Sequence, residues 1–195
     1  MTRAPVIAAL DLSLTTGWCV GAPLANAPPI GGVWKLGKMR DKAGIGRMGE
    51  IGSSLMRCVE ELIAAHKPAL VVFEAPIGKA QTTARLFHSL GAAVEIACFE
   101  AGVPCREEAP HTARKLVLGR GMFPKPMAGH GRMVLREVKG QKVRELRGDP
   151  KEEVMLWCRR EGLAFIDDNH ADALLLHRYA CLLARSRVTA GRGAA

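Results

Sequence analysis

Leu70-Val71-Val72-Phe73 is a run of four apolar residues closed in by Pro68 on one side and Glu74 on the other. A run so short, with no polar residue alternating through it, is the pattern of a strand covered on both faces. Covering both faces takes helices above and below, so the chain is committed to α/β layers. The neighbouring segments can supply those helices. Met48, Ile51, Leu55, Val59, Leu62 and Ile63 recur at helical spacing before Pro68. After Glu74, a helix is expected over Thr82 to Ala101, with Leu86, Leu90, Val94, Ala97 and Ala101 inward and Gly102 as its stop.

The rest of the chain fits around this unit. Val6 to Asp11 reads as a first strand, followed by the polar turn Ser13 to Thr16. Gly17 to Val20 and Gly32 to Leu36 read as a second and third strand, with Pro- and Gly-rich loops between them. Val103 to Arg106 reads as a fifth strand, and His111 to Leu118 as a short helix. Residues 119–151 read as irregular. Glu152 to Arg160 is helical, and Asp168 is expected to cap a last helix running to about Arg185. The order is three strands, helix, strand, helix, strand, helices. It predicts one mixed five-stranded sheet flanked by helices, since each strand–helix–strand unit makes a parallel neighbour.

At 195 residues the chain suits one compact domain. We expect it over residues 1–185, with 186–195 as a disordered tail. No apolar stretch reaches the ~20 residues of a membrane span, and Asp11 interrupts the run that could imitate a signal peptide. The six cysteines form no Cys-x-x-Cys pair. They read as small buried hydrophobes in a reduced, cytoplasmic setting. The net charge of +9 and pI of about 9.6 favour a polyanionic partner, nucleic acid or an anionic surface.

Three acids stand out by placement. Asp11 ends the first strand, Glu74 ends the fourth, and Asp172 lies in the first turns of the last helix, ahead of an apolar stripe. A carboxylate at the end of a buried strand is costly unless something compensates it. Three converging from separate elements could hold hard cations, Mg²⁺ or Mn²⁺. Two such ions about 3.5–4 Å apart can clamp a phosphodiester. Residues three and four before Asp172 share its helix face. Asp168 is favoured as a fourth ligand, with Asn169 and His170 as rivals.

These residues resemble a known family, the RuvC-like Holliday junction resolvases, and in particular their shorter bacteriophage relatives. Ala9-Leu10-Asp11-Leu12-Ser13-Leu14-Thr15-Thr16-Gly17-Trp18 resembles the family's first strand, turn and second strand. Val71-Val72-Phe73-Glu74-Ala75-Pro76 resembles its second acidic motif. Leu90-Gly91-Ala92-Ala93 resembles a small-residue stretch in the next helix, and Asp168-Asn169-His170-Ala171-Asp172-Ala173-Leu174 the closing acidic motif. The order and gaps agree over residues 6–185. The resemblance implies an RNase H-like fold, a homodimer, and Mg²⁺-dependent nicking of four-way DNA junctions by a crossover junction endodeoxyribonuclease, bacterial or phage-encoded. It maps catalytic acids onto Asp11, Glu74 and Asp172. The family has an acid or His three residues before its final Asp, where this chain has Asn169.

Residues 119–151 carry nine basic residues against three acidic ones, enough to make the segment a candidate clamp on phosphates. Lys79, Arg114, Lys115, Arg132, Arg136, Lys139 and Lys142 are the expected DNA contacts. Trp18, Trp34 and Trp157 read as core. Two rival patterns point to nucleotides. Gly44 to Gly49 fits G-x-G-x-x-G, but a polar loop and not a strand precedes it. Asp11 to Gly17 looks like the phosphate hairpin of sugar kinases and actin-like ATPases, which need two such domains. A non-catalytic DNA-binding module of the same fold is the third alternative.

Overall fold

The computed structural model describes residues 5–23, 27–39, 46–75, 81–119, 132–138, 141–147 and 149–192. Five strands form one sheet: β1 (Ile7–Asp11), β2 (Thr15–Gly21), β3 (Ile30–Lys35), β4 (Leu70–Glu74) and β5 (Cys105–Glu108), in the order β3-β2-β1-β4-β5. The pairs β1/β2 and β2/β3 are antiparallel, and β1/β4 and β4/β5 are parallel. This is the mixed sheet expected. The parallel part runs from the central strand β1 through β4 to the edge strand β5, and β1 and β4 are interior strands that need cover on both faces.

Alternation along these strands assigns each side chain to a layer. Ala8, Leu10, Val71 and Phe73 face α1 (Met48–His66) and α2 (Gln81–Glu100), where they meet Ile51, Leu55, Val59, Leu90 and Val94. Ile7, Ala9, Cys19 and Val72 face the other way, into a second core with α3 (Pro110–Leu118), α4 (Pro150–Arg160) and α5 (Asp168–Arg192). α5 is covered nearly all round at its start, with Ala171, Ala173, Leu174, Leu175 and Leu176 each at most 3% exposed. Each such leucine contributes ~1.5–3 kcal/mol by leaving water. The helix can lie this close to the sheet because glycines stand beneath it. A Cβ on Gly31 would come 2.4 Å from His170 Nε2, and one on Gly17 would come 2.0 Å from the Asn169 carbonyl oxygen.

Four expectations need correction. β5 begins at Cys105, two residues later than expected, because Val103 N–H still caps the end of α2 by donating to Cys98 O at 2.9 Å. Asp167 and not Asp168 caps α5: its carboxylate accepts from His170 N–H at 2.9 Å, and its carbonyl from Ala171 N–H. α5 continues to Arg192, through most of the expected disordered tail. The 119–151 segment is not wholly irregular. It holds an antiparallel hairpin, β6 (Arg132–Val138) and β7 (Gln141–Arg147), as a separate two-stranded sheet. Asp149 then caps α4 by accepting from Lys151 N–H at 2.9 Å.

The tryptophans pack as core residues do: Trp157 is buried, and Trp18 and Trp34 stack with ring centres 5.6 Å apart. All six cysteines are free thiols, four of them buried. Among the described residues no helix is long and apolar enough to cross a membrane.

Candidate active site

The sheet register brings the first two acids together. β1 and β4 run parallel with Leu10 opposite Phe73, so Asp11 and Glu74 follow as neighbours at the strand ends. Both fall on the α5 side by alternation, in step with Ala9 and Val72. Asp172, only 5% exposed, reaches the same place from the first turns of α5. The three carboxylates line one cleft of about 180 Å³ together with Ser13, Phe87, Arg114, Lys151 and Asn169.

Their electrostatics are those of like charges forced together. Burial pushes Asp11 well above the usual carboxylate range, and the charges of Glu74 and Asp172 push it further. Burial, then the charge of Asp172, raises Glu74 to about 7, while Arg114 pulls the other way. Asp172 is also raised by burial, against the pull of Arg114 and Lys151. Arg114 donates to Asp172 Oδ1 at 3.4 Å from a side chain only 15% exposed. Its buried Nε has no partner in the protein.

Such a set fits a divalent cation by its chemistry: all-oxygen donors, desolvated, mutually repelling, and only partly offset by two cations. Among the described residues, no group of three or more His, Cys, Asp or Glu side chains is arranged closely enough to hold a metal ion.

The rivals for a fourth position separate clearly. Asn169 lines the cleft and Asp168 does not. Asp168 is ion-paired with Lys151, whose hydrogen bond lowers its pKa against partial burial. His170 is turned to the sheet at Gly31, its Nδ1 accepting from Ile166 N–H at 3.2 Å. Lys151 itself was not singled out from the sequence. It counts only among the nine basic residues of 119–151, ahead of a helix expected from Glu152, and nothing local says what it faces.

Of the expected DNA contacts, Arg114 lines the cleft, and Lys115 is exposed on α3. Arg132, Arg136 and Lys142 lie on the β6–β7 hairpin. Lys79 and Lys139 lie outside the described residues, as do Gly44 and Ile45 of the glycine pattern. The Ser13–Thr16 turn uses its hydroxyls on itself: Thr16 Oγ1 donates to Ser13 O at 2.7 Å, and Ser13 Oγ to Thr15 O at 2.7 Å.

The crowding of carboxylates has a measurable consequence. An acid whose pKa is higher folded than unfolded binds more protons when folded. The metal-free fold therefore loses stability as pH rises from about 4.5 through about 7 on account of Glu74. Glu74→Gln removes that loss. With EDTA present, the Tm of the variant minus that of the parent should grow from pH 5 to pH 8. A difference that stays flat with pH would contradict the crowding.

No family model matches the chain. Over 86 residues, 43% of the chain, it is 36% identical to crossover junction endodeoxyribonuclease RuvC of Halorhodospira halophila. The match spans 48% of that protein, so the chain covers about half the length of this curated relative. Solved structures agree over nearly the whole chain. RuvC from Thermus thermophilus covers 93% of it at 22% identity with a TM-score of 0.61, and 96% of that protein is matched. RuvC of T. thermophilus in complex with Holliday junction substrate gives the same coverages, 20% identity and a TM-score of 0.64. The yeast mitochondrial Holliday junction resolvase Ydc2 covers 95% at 10% identity, with 83% of its own chain matched and a TM-score of 0.50. The five-stranded mixed sheet, its flanking helices and these likenesses establish one fold for the chain, the RNase H-like fold of RuvC.

Proposed function

We propose that this protein is a metal-dependent endodeoxyribonuclease that resolves four-way DNA junctions. The observation carrying the reading is the cleft itself: Asp11, Glu74 and Asp172 from β1, β4 and α5 meet there beside Arg114 and Lys151, in a fold it shares with RuvC, one structure of which holds Holliday junction substrate. Two Mg²⁺ or Mn²⁺ ions, when bound, would supply an activated water and stabilise the leaving 3′ oxygen. Asp11, Glu74 and Asp172 are the residues that would hold them, with the Asn169 amide oxygen in place of a fourth acid.

The chain's own groups do the rest. Arg114 donates to Asp172 Oδ1 and works against the burial that raises its pKa. Lys151 stands ready for a phosphate oxygen at the cleft wall, and Asp168 holds it there. Lys115 adds a cation one position along α3. A four-way junction has two-fold symmetry, so paired cuts need two clefts, and a homodimer provides them. Ile96 and Phe99, 49% and 86% exposed on α2, give each copy an apolar face to bury.

The test uses synthetic four-way, flap and linear DNA with Mg²⁺ and then with EDTA. Symmetric nicks in the junction that vanish on chelation are expected. Junction binding without any cut, in Mg²⁺ or Mn²⁺, would make the protein a non-catalytic module and overturn the reading, as would cleavage indifferent to EDTA.

A further inference from the structure

The start of α5 brings Asn169 and Asp172 to the cleft, and two reciprocal contacts hold that start. Asp167 stands just before the helix and accepts from His170 N–H through Oδ1 at 2.9 Å. His170 answers with its side chain, whose Nδ1 accepts from Ile166 N–H at 3.2 Å. A capping acid bonded to the third helical residue, whose own side chain reaches back to the entering backbone, follows the logic of a capping box. Two features depart from that motif. The returning acceptor is an imidazole in place of a Glu or Gln, and it takes the N–H one residue earlier.

Filling space does not account for the imidazole. It is 5% exposed and lies against β3, where Gly31 leaves room for it. With Nδ1 accepting, the ring proton belongs on Nε2. That nitrogen is buried and has no partner among the described residues. A buried donor left unpaired is costly. A leucine or phenylalanine would fill the space without that cost, so what His170 adds is the Nδ1 acceptor. A glutamate would supply an acceptor only by burying a further charge, two residues from Asp172.

The contact governs more than the helix end. Ile166 is 69% exposed, so its N–H and not its side chain ties the entering chain down. On the same turn the Asn169 carbonyl lies close over Gly17 of β2, while the His170 ring lies over Gly31 of β3. A turn seated on two strands resists rotation about the helix axis, and rotation is the movement that would carry Asn169 and Asp172 out of the cleft. We propose that His170 is a positioning residue: through its Nδ1 acceptor it sets the rotation of the first turn of α5, and so the places of Asn169 and Asp172 toward a divalent ion. The inference rests on the junction-nuclease reading for the role of those two residues, and it goes beyond that reading in naming what holds them.

The experiment compares His170→Asn, His170→Gln and His170→Phe in the full chain. The Asn amide oxygen falls near the place of Nδ1 and can accept from Ile166 N–H. Gln carries its amide out toward the place of Nε2, and Phe has no acceptor. Three quantities are read besides Tm: half-saturation of the DNA-free protein by Mn²⁺, followed by the Mn²⁺ EPR signal; junction binding in EDTA; and kcat for junction cleavage in Mg²⁺. A displacement of 1 Å can cost ~10²-fold in rate, and a small rotation of one turn displaces less, so about tenfold is expected. His170→Gln and His170→Phe should weaken Mn²⁺ binding and lower kcat by about that factor, with junction binding in EDTA unchanged. His170→Asn should rescue both to near the parent values. Gln and Phe variants at parent Mn²⁺ affinity and kcat, whatever their Tm, would make His170 a packing residue and overturn the proposal. So would an Asn variant that fails as badly as Gln, because the acceptor would then not be what matters. Should the Phe variant fail to unfold cooperatively, the Asn and Gln variants still decide between these outcomes. A parent that neither binds Mn²⁺ nor cuts sinks the nuclease reading and this inference with it. A parent that binds and cuts, with a Gln variant indistinguishable from it, sinks this inference alone.

Discussion

Asp11→Asn is expected to lower junction cleavage by on the order of 10³-fold or more, while junction binding measured in EDTA stays at or above the parent level. The substitution keeps the size and shape of the side chain and removes its charge. Asp11 lies where burial and the charges of Glu74 and Asp172 already oppose its ionisation. Only a strong compensating cation makes its carboxylate form worth keeping. A neutral amide cannot supply that negative charge, so the electrostatic assembly around the scissile phosphate is lost. Losing one preorganised group of this kind commonly costs 10²–10³-fold, and several kcal/mol of charge stabilisation rest on metals at such sites. The same change relieves repulsion within the cleft, so the metal-free variant should unfold at a higher temperature than the parent at pH 8, a trade of stability against activity. Parent-level cutting by Asp11→Asn would remove Asp11 from the site, and with it the central argument for the cleft.

Much of this geometry was legible in the chain. The run Leu70 to Phe73 fixed the buried centre of the sheet, and the acids at the ends of β1 and β4 marked where the cleft opens. The parity that places Asp11 with Ala9, and Glu74 with Val72, follows from strand alternation alone once the two strands are paired in parallel. What failed depends on contacts between distant segments. Asp167 and Asp168 are equally good caps by residue type. The choice falls to Asp167 because its carboxylate reaches His170 N–H, while Asp168 is held by Lys151. Asn169 and Asp168 both share a helix face with Asp172, and only the packing of α5 on the sheet decides that Asn169 lines the cleft. Lys151 has no local signal for its role. The hairpin was hidden because Met133, Val134 and Leu135 run consecutively, so β6 lacks the period-two alternation by which a half-buried strand is recognised.

Gly17→Ala should cost both stability and activity, and it tests the joint between the sheet and the helix that carries Asp172. Gly17 sits opposite Asp11 in the β1/β2 register. A Cβ there would meet the Asn169 carbonyl oxygen at 2.0 Å, its carbon at 2.3 Å and His170 N at 2.7 Å. All three are backbone atoms of the first turn of α5, so no rotamer change can relieve the clash. The helix start must lift away. Overpacking typically costs 1–3 kcal/mol, and an obstacle made of backbone belongs at the upper end. A loss of about 3 kcal/mol corresponds to roughly 6–12 °C in Tm for a chain of this size. Lifting the first turn by about 1 Å would also carry Asn169 and Asp172 off their positions, for which a loss of about 10²-fold in kcat is expected. Gly52→Ala on α1 is the control, since a Cβ there meets nothing within 4 Å and alanine favours a helix by ~1 kcal/mol over glycine. It should hold or raise Tm and leave cleavage at the parent rate. If Gly17→Ala behaved like this control, α5 could not be seated on β2 as closely as the structure has it, and Asp172 would lose its place beside Asp11.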